Sequence, residues 1–145
     1  MNPPQAWEVI FHGDFDPEFD AFPTDVQDEL LATASAVKRL GPAAGRPHVG
    51  TLTNPKHPNM KELRFKANNG AEIWRAAFAF DPEQKAIILV AAAKQGMDEG
   101  KFYKTLLKKA NIRYDNHLAT LAPALAEPAK TGKSRPSPKA GQGKK

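Results

Sequence analysis

The segment "NMKELRFKANNGAEIWRAAFAF", residues 59–80, contains two runs of strand-forming residues separated by the pair Asn69-Gly70. Asn-Gly is the preferred pair for a two-residue turn of type I′, because both positions require a positive φ. With this turn, Arg64 faces Arg75 across the antiparallel hairpin. Like charges that face each other across strands repel unless an anion or a carboxylate lies between them. The segment therefore predicts a hairpin whose basic face needs an anionic partner.

The other face of this hairpin is apolar, since the same register pairs Phe65 with Trp74 and Leu63 with Ala76. A second hairpin, in which the four-residue loop 81–84 pairs Phe80 with Lys85, extends the apolar face to Trp74, Ala76, Phe78, Phe80, Ile87, Leu89, Ala91 and Ala93. The opposite face then contains Ile88 and Val90 with the basic residues Arg64, Arg75, Lys94 and, at the edge, Lys66. Because side chains alternate along a strand, a slip of one residue would exchange the faces.

The basic face has two interpretations. It is typical of the solvated side of a sheet, with Glu62 and Glu72 as local partners, and it is equally typical of an anion-binding site. Because the facing arginines repel each other, we expect Arg75→Ala to leave the fold stable. A large loss of melting temperature would instead identify Arg75 as a structural ion-pair residue.

The remaining pattern predicts an α+β fold. Alternating apolar residues predict strands at 6–12, 60–66, 71–80 and 85–94, and helical spacing predicts helices over 24–40 and from Asp98 to about Leu121. In the first helix, Thr24 and Gln27 have the spacing of a capping box, and one buried face is expected to contain Val26, Leu30, Ala34, Val37 and Leu40, with Thr33 at its margin. We interpret Tyr103 and Tyr114 of the second helix as core residues, beside a basic face of Lys101, Lys104 and Lys108.

Three other segments have no helical or strand period. Residues 13–23 are acidic and rich in Phe, which we interpret as a turn region. Residues 41–59 contain three Gly and four Pro and predict a long loop. Residues 123–145 are basic and poor in apolar side chains, so they predict a disordered tail after a single domain at 1–122.

Composition limits the class of protein. The 145 residues carry a net charge of +5, yet residues 1–30 contain eight acids and no base, so the charge is strongly segregated. The chain has no Cys, no apolar run of the ~20 residues that span a bilayer, and an N-terminus without the pattern of a secretion signal. We expect a cytoplasmic protein. The four His show no metal-ligand spacing, and neither a Gly-rich phosphate loop nor a GxSxG motif occurs, so we expect no metal or cofactor.

Three segments, "GRPHVGTL…KHPNMKELRF", "WRAAFAFDPEQKAIILVAAAKQG" and "KFYKTLLKKANIRYDNHL", resemble the RelE/HigB superfamily of toxins from toxin-antitoxin modules, especially its phage-derived HigB-like branch. The resemblance covers about residues 6–121. It implies a small antiparallel sheet of about four strands, with helices packed on one face and the first strand inserted centrally. It also implies a metal-independent endoribonuclease that cleaves mRNA on the ribosome and is inhibited by a helix-turn-helix antitoxin.

The resemblance also implies roles for particular residues. Arg75 matches the phosphate-binding arginine best, while Lys61, Arg64 and Lys94 occupy positions where the family has basic catalytic residues. The anion between Arg64 and Arg75 would then be the scissile phosphate. No tyrosine directly follows the last strand, so the general acid and base stay open, with His57 as a candidate. Lys61 is expected on the face opposite Arg64. Residues expected to contact RNA backbone are Lys66, Arg46, Lys56 and His48.

Two alternatives remain at this point. A ParE-like relative of the same superfamily inhibits DNA gyrase, and a fold can be shared without its chemistry. The chain could also be a non-catalytic module that binds RNA or protein.

Overall fold

The computed structural model describes residues 7–53 and 55–126, with side chains to residue 121. Its strands are β1 (Glu8–Phe11), β2 (Val49–Thr51), β3 (Met60–Ala67), β4 (Glu72–Phe80) and β5 (Lys85–Ala93). Its helices are α1 (Phe15–Ala21), α2 (Thr24–Leu40) and α3 (Glu99–Ala126), and a short 3-10 helix occupies Gly41–Ala43. The strands form one mixed sheet in the order β1-β5-β4-β3-β2. The predicted α+β class is confirmed.

The β3–β4 hairpin has the predicted register. Arg64 pairs with Arg75, and Phe65 pairs with Trp74. Asn69 and Gly70 have φ values of 54° and 86°, as a type I′ turn requires, and the Ala71 N–H donates to the Asn68 carbonyl at 3.0 Å. The Asn-Gly pair therefore determines which face of the central hairpin is basic.

The register of the β4–β5 hairpin differs from the prediction. Gln84 has a φ of 64°, and the Asp81 N–H donates to the Lys85 carbonyl at 2.8 Å, so three residues close the loop rather than four. Phe80 consequently pairs with Ala86 instead of Lys85. Nothing in the loop sequence signals this, because Gln rarely adopts a positive φ.

An irregularity at Ala77/Phe78 shifts the β4–β5 register a second time. Ile88 therefore joins the apolar face of Phe78, whereas Ile87 and Leu89 lie on the face of Arg75, so the prediction for these three residues was wrong. After the shift, the residues of β5 lie on the faces predicted for them. Val90 pairs with Ala77, Ala91 with Ala76, and Ala93 with Trp74.

Helices cover both faces of the sheet, not one. α2 packs Val26, Leu30, Ala34 and Val37 against the face that includes Leu63, Phe65 and Phe78. α3 packs Phe102, Leu106, Ala110 and Tyr114 against the other face, which includes Ala77, Ala79, Ile87 and Leu89. The two central strands are apolar on both faces over this region, and such strands require cover on both sides.

Three elements were missed or misplaced by the prediction. β1 is an edge strand that runs parallel to β5, not a central strand. β2 lies inside the predicted long loop and pairs with β3, which gives five strands rather than four. The predicted turn region contains α1, whose Phe15 and Phe19 are buried against the sheet. Short elements such as these depend on tertiary packing more than on local pattern.

The ends of the helices also differ in detail. α2 has the predicted bounds, but Gln27 forms no capping box and instead donates Nε2 to the Phe19 carbonyl at 2.9 Å. Leu40 is half exposed rather than part of the buried stripe. α3 continues to Ala126, four residues beyond the predicted end of the domain at 122, and residues 127–145 lie outside the described residues. No helix in the described ranges is both long and apolar enough to cross a membrane.

The buried carboxylate of Asp81 organises the β4–β5 loop. Its Oδ1 accepts the N–H groups of Glu83 at 2.8 Å and Lys85 at 2.9 Å, and its Oδ2 lies 2.8 Å from His117 Nε2 of α3. Burial by itself would raise the pKa of Asp81, but the hydrogen bonds with His117 and the two backbone groups outweigh it and hold this pKa below its ordinary value. Asp81 therefore links the loop to α3 as an ionised group.

We expect Asp81→Ala to lower the free energy of unfolding by about 2 to 3 kcal/mol at neutral pH, because two backbone donors lose their acceptor. The depressed pKa means that this stability is present above the unfolded-state pKa of about 4 and is lost as the pH falls through the folded-state value. The difference between wild type and variant, measured by urea unfolding, should therefore shrink in acid. Glu83→Ala, in the same loop but exposed, is the matched control; a difference independent of pH would contradict the assignment.

Candidate active site

The β3–β4 hairpin, the end of β5 and α3 bring five polar side chains together on one face of the sheet. We call them the Glu62 cluster: Glu62, Arg64, Arg75, Lys94 and Tyr103. Residues two apart on a strand share a face, so Glu62 and Arg64 of β3 both point toward α3. Arg75 joins them because it pairs with Arg64. The type I′ turn therefore assembles the basic part of the site.

Glu62 is the anion that lies between the two arginines. Its Oε2 accepts Arg64 Nη1 at 2.7 Å, and its Oε1 accepts the Tyr103 hydroxyl at 2.7 Å. Arg75 Nε lies 3.8 Å from the same Oε1. Glu62 is only 3% exposed, so these contacts replace nearly all of its water. The carboxylate of Glu62 therefore relieves the Arg64–Arg75 repulsion.

The two arginines differ in exposure. Arg75 is buried, donates Nε to the Tyr103 hydroxyl at 3.2 Å, and donates Nη1 to the Trp74 carbonyl at 2.9 Å. The Arg64 side chain is 27% exposed and has one hydrogen bond, from Nη1 to Glu62. Arg75 is therefore fixed in position, while Arg64 presents donors to solvent.

The Tyr103 hydroxyl connects the helix to the strands. It donates to Glu62 and accepts from Arg75, so it bridges a carboxylate and a guanidinium. Burial raises the pKa of Tyr103, the hydrogen bond and charge of Glu62 raise it further, and Arg75 opposes the shift. The phenol is consequently protonated at neutral pH and can donate its proton to Glu62.

Lys94 lies at the border of the cluster. Its Nζ is 5.7 Å from the centroid of the Tyr103 ring and 3.1 Å from Glu99 Oε1 at the start of α3. The Glu99 side chain is largely exposed, so this pair is weak and open to competition by another anion. Lys94 therefore adds positive charge on the solvent side of Tyr103.

Gly50 of β2 leaves room for the Glu62–Arg64 contact. It pairs with Glu62, and a Cβ at this position would lie 3.1 Å from Glu62 Oε2 and 3.2 Å from Arg64 Cδ. Either contact is tighter than an ordinary van der Waals contact, so a larger residue would displace one of the two side chains. The edge strand thus determines the shape of the site through a residue that has no side chain.

His48 lies across from Arg64, directly before β2. Its backbone carbonyl accepts the Arg64 N–H at 2.9 Å, which extends the β2–β3 pairing by one residue. Residues that face each other across antiparallel strands share a face, so a row across the sheet contains Arg75, Arg64 and His48. His48 is exposed. It was expected only to contact RNA backbone, and the fold brings it beside the cluster.

The other predicted site residues fall into two groups. Lys66 shares the face of Arg64 and is exposed, and Arg46 is exposed two residues before His48. Lys61 pairs with Phe78 and therefore lies on the face covered by α2, as its register predicts. It does not join the Glu62 cluster.

Lys56 and His57 lie at a different place. Lys56 Nζ is 2.7 Å from Asp115 Oδ2, and His57 Nε2 is 2.8 Å from Asp115 Oδ1. Asp115 follows Tyr103 by twelve residues on α3, which corresponds to about 18 Å along the helix axis. His57 therefore attaches the segment before β3 to the far half of α3. Within the described ranges, no group of three or more His, Asp or Glu side chains is arranged to hold a metal.

Sequence reasoning identified the arginines and named Glu62 as a candidate partner of the basic face, but it missed the contact of Glu62 with Tyr103. Residues two apart on a strand share a face, so the sequence alone already placed Glu62 beside Arg64. Tyr103 had no comparable signal, because its helical spacing is that of a core residue. Its contact with Glu62 depends on α3 covering the basic face, which the predicted one-sided packing excluded.

Comparison with known proteins identifies a matching family and similar proteins. The family model described as "Phage derived protein Gp49-like" matches residues 17–115. "Putative toxin HigB3" of Mycobacterium tuberculosis is 33% identical over 102 residues, which cover 70% of this chain and 85% of that protein. "Putative toxin HigB2" of the same organism is 38% identical over 90 residues, which cover 62% of this chain but only 44% of HigB2.

These matches show a protein of the RelE/HigB type. Within that class, the chain belongs to the phage-derived Gp49-like family, whose model spans more than half of it. The resemblance stated from the sequence motifs is confirmed at the level of the family.

We expect Arg75→Ala and Glu62→Ala each to lower the free energy of unfolding by about 3 kcal/mol, because each leaves a buried charge without its partner. This replaces the expectation, based on sequence alone, that Arg75→Ala leaves the fold stable. The double variant should lose less than the sum of the two single losses, as coupled residues do. Urea unfolding of all four proteins measures the coupling, and Lys61→Ala is the control on the opposite face. Additive losses would show that Glu62 and Arg75 do not interact.

Proposed function

We propose that this protein is the toxin of a toxin-antitoxin module and acts as an endoribonuclease on mRNA that is being translated. Two observations support the proposal: the membership of the Gp49-like family, with relatives named as HigB toxins, and the Glu62 cluster. The observation on which the chemistry rests is the network in which Glu62 orders Arg64, Arg75 and Tyr103 at a partly exposed surface. Its partners would be an antitoxin of the helix-turn-helix type, the ribosome and mRNA, in the cytoplasm.

The proposed reaction is attack of a ribose 2′-hydroxyl on the adjacent phosphate. A P–O bond forms to the 2′-oxygen and the P–O bond to the 5′-oxygen breaks, which leaves a 2′,3′-cyclic phosphate and a 5′-hydroxyl. Negative charge increases on the phosphoryl oxygens in the transition state. Arg64 binds these oxygens, while the charges of Arg75 and Lys94 lie beside them. Preorganised donors of this kind typically contribute about 3 to 4 kcal/mol each.

Tyr103 and Glu62 provide a route for the proton of the 2′-hydroxyl. The Tyr103 oxygen accepts this proton while the phenol donates its own proton to Glu62 Oε1, which lies 2.7 Å away. In this relay Tyr103 does not have to ionise before it accepts the proton. The relay is therefore compatible with the raised pKa of the Tyr103 phenol. Glu62 is therefore the final acceptor even though it is buried.

His48 is the proposed donor to the leaving 5′-oxygen. It lies across from Arg64, directly before β2, and is exposed, and an imidazole can act as a general acid. This assignment replaces His57, which is hydrogen-bonded to Asp115 at the far half of α3. Lys66 and Arg46 would contact the RNA backbone on either side of the cleaved bond.

We expect Arg64→Ala and Tyr103→Phe each to reduce cleavage by about 100-fold to 1000-fold, as the loss of one transition-state donor or proton-transfer group does. The measurement is the mapping of new 5′ ends in a translating cell extract supplied with the purified protein. Arg39→Ala, in the last turn of α2, is the control for the loss of an exposed positive charge and should retain full activity. Intact mRNA with inhibited DNA supercoiling would indicate a gyrase inhibitor instead.

We expect His48→Ala to reduce cleavage by about 100-fold and His57→Ala to reduce it less than about threefold, because only His48 lies beside Arg64. The same 5′-end mapping compares the two variants, and thermal unfolding shows whether either has lost structure. The reverse order of effects would mean that the site lies at Asp115 rather than at the Glu62 cluster.

A further inference from the structure

A second row of side chains crosses the sheet beside the Glu62 cluster. Ile73 of β4 pairs with Lys66 of β3, and its carbonyl accepts the Lys94 N–H at 2.7 Å, so Lys94 is its neighbour on the other side. Residues that face each other across strands share a face of the sheet, with Cβ atoms about 5 Å apart. An apolar side chain therefore lies between two lysines. We call Lys66, Ile73 and Lys94 the Ile73 row.

The Ile73 row shares its face with the two arginines of the active site. Ile73 lies two residues before Arg75 on β4, and Lys66 lies two residues after Arg64 on β3. Residues two apart on a strand point to the same face and are separated by about 7 Å. This separation corresponds to one nucleotide of an extended RNA strand. A strand with a phosphate on Arg64 therefore has room for a neighbouring nucleotide over the Ile73 row.

The side chains of the Ile73 row are accessible. Ile73 is 37% exposed, and Lys66 is exposed as well. The ion pair of Lys94 is with the largely exposed Glu99, so another anion can replace that carboxylate. A single exposed isoleucine is ordinary on a protein surface. Its position between two lysines, however, favours a ligand that has an apolar body and anionic groups on both sides, and a base with its flanking phosphates has this pattern.

Gln95 adds hydrogen-bond donors at the edge of the row. Its Oε1 accepts the Ile73 N–H at 3.3 Å. This contact determines the orientation of the amide, because only the oxygen can accept a hydrogen bond. The Nε2 group then lies on the other side of the amide, at an exposed residue, and presents two N–H donors. Gln95 can therefore donate to an acceptor on the edge of a base, such as the N7 atom of a purine.

We propose that the Ile73 row is the subsite for the base of the nucleotide next to the cleaved bond, with a preference for a purine. The face of the base lies on Ile73, Lys66 contacts the neighbouring phosphate, and Lys94 lies on the side of the cleaved phosphate. A purine is preferred because its larger face buries more apolar surface against Ile73, and because Gln95 can donate to its N7. Selective binding of single-stranded RNA generally uses bases that are unstacked in this way.

This inference rests on the proposed ribonuclease function, but its test measures the position of a base and not cleavage. The full chain, with isotope-labelled isoleucine methyl groups, is titrated in an NMR experiment with 2′-O-methyl oligoadenylate, which has no free 2′-hydroxyl and cannot be cleaved. We expect the methyl signals of Ile73 to move upfield, because they lie above the ring of a base. The signals of Ile112, which is also exposed but lies on α3, should stay in place.

An oligonucleotide of the same length without bases is the control for binding by charge alone. It should leave the Ile73 signals in place at a concentration that occupies the protein equally. Unmoved Ile73 signals under saturating oligoadenylate would overturn the proposal, as would failure of oligoadenylate to bind or an equal effect of the oligonucleotide without bases. A shift that depends on protein concentration alone would identify a second copy of the chain as the occupant.

A matched pair of variants tests the subsite by affinity. We expect Ile73→Ala to weaken the binding of 2′-O-methyl oligoadenylate about fivefold, because apolar contact with the base is lost, and to leave binding of the oligonucleotide without bases unchanged. Ile112→Ala, the control, should bind both as the wild type does. Equal binding of oligoadenylate by both variants would place the base elsewhere.

The outcomes for the subsite and for the ribonuclease are distinguishable. A protein that binds oligoadenylate over Ile73 but cuts no mRNA would disprove the ribonuclease and retain the subsite. A protein that cuts mRNA while the Ile73 signals do not respond to oligoadenylate would retain the ribonuclease and disprove the subsite.

Discussion

The carboxylate of Glu62 between Arg64 and Arg75 is the contact on which the face of the sheet beneath α3 depends. The turn at Asn69-Gly70 sets the register in which Arg64 faces Arg75. Because the two positive charges repel each other, an anion is needed between them. Glu62 occupies it and also accepts the hydroxyl of Tyr103, which ties α3 to the strands. A buried ionic network of this kind adds little net stability compared with apolar packing. Removal of one member, however, leaves the other charged groups buried without a partner. Its value is therefore geometric: it holds two guanidinium groups and a phenol in one arrangement.

α3 is held at both of its halves by polar contacts of different kinds. Near its start, Tyr103 meets the Glu62 cluster, and Lys94 contacts Glu99. Farther along the helix are the contacts of Arg113 with Glu18, Asp115 with His57, and His117 with Asp81. The Arg113 guanidinium beside Glu18 lowers the pKa of that carboxyl, as expected of a strong bidentate pair. These contacts fix both the position and the rotation of the helix, which the apolar stripe alone would leave less specific.

The sequence predicted the fold where local chemistry determines geometry, and failed where packing determines it. Asn69-Gly70 allows one turn type, and the register of the central hairpin followed from it. Gln84 gives no such signal, so the loop after β4 and the faces of Ile87 and Ile88 were predicted wrongly. β2 spans three residues in a region rich in Gly and Pro, and its pairing with β3 is a tertiary contact without a local pattern. Tyr103 was interpreted as core for the same reason, because its partner Glu62 is distant in sequence.

The two flanks of α3 differ in how much movement they tolerate. Tyr103 must stay within hydrogen-bond distance of Glu62, so its flank tolerates little movement. The other flank, at Thr105 and Leu106, borders an open groove and contacts no member of the Glu62 cluster. Because α3 is also fixed by Arg113, Asp115 and His117, a shift would break several charged contacts at once. The contacts along α3 therefore protect the distance from Tyr103 to Glu62.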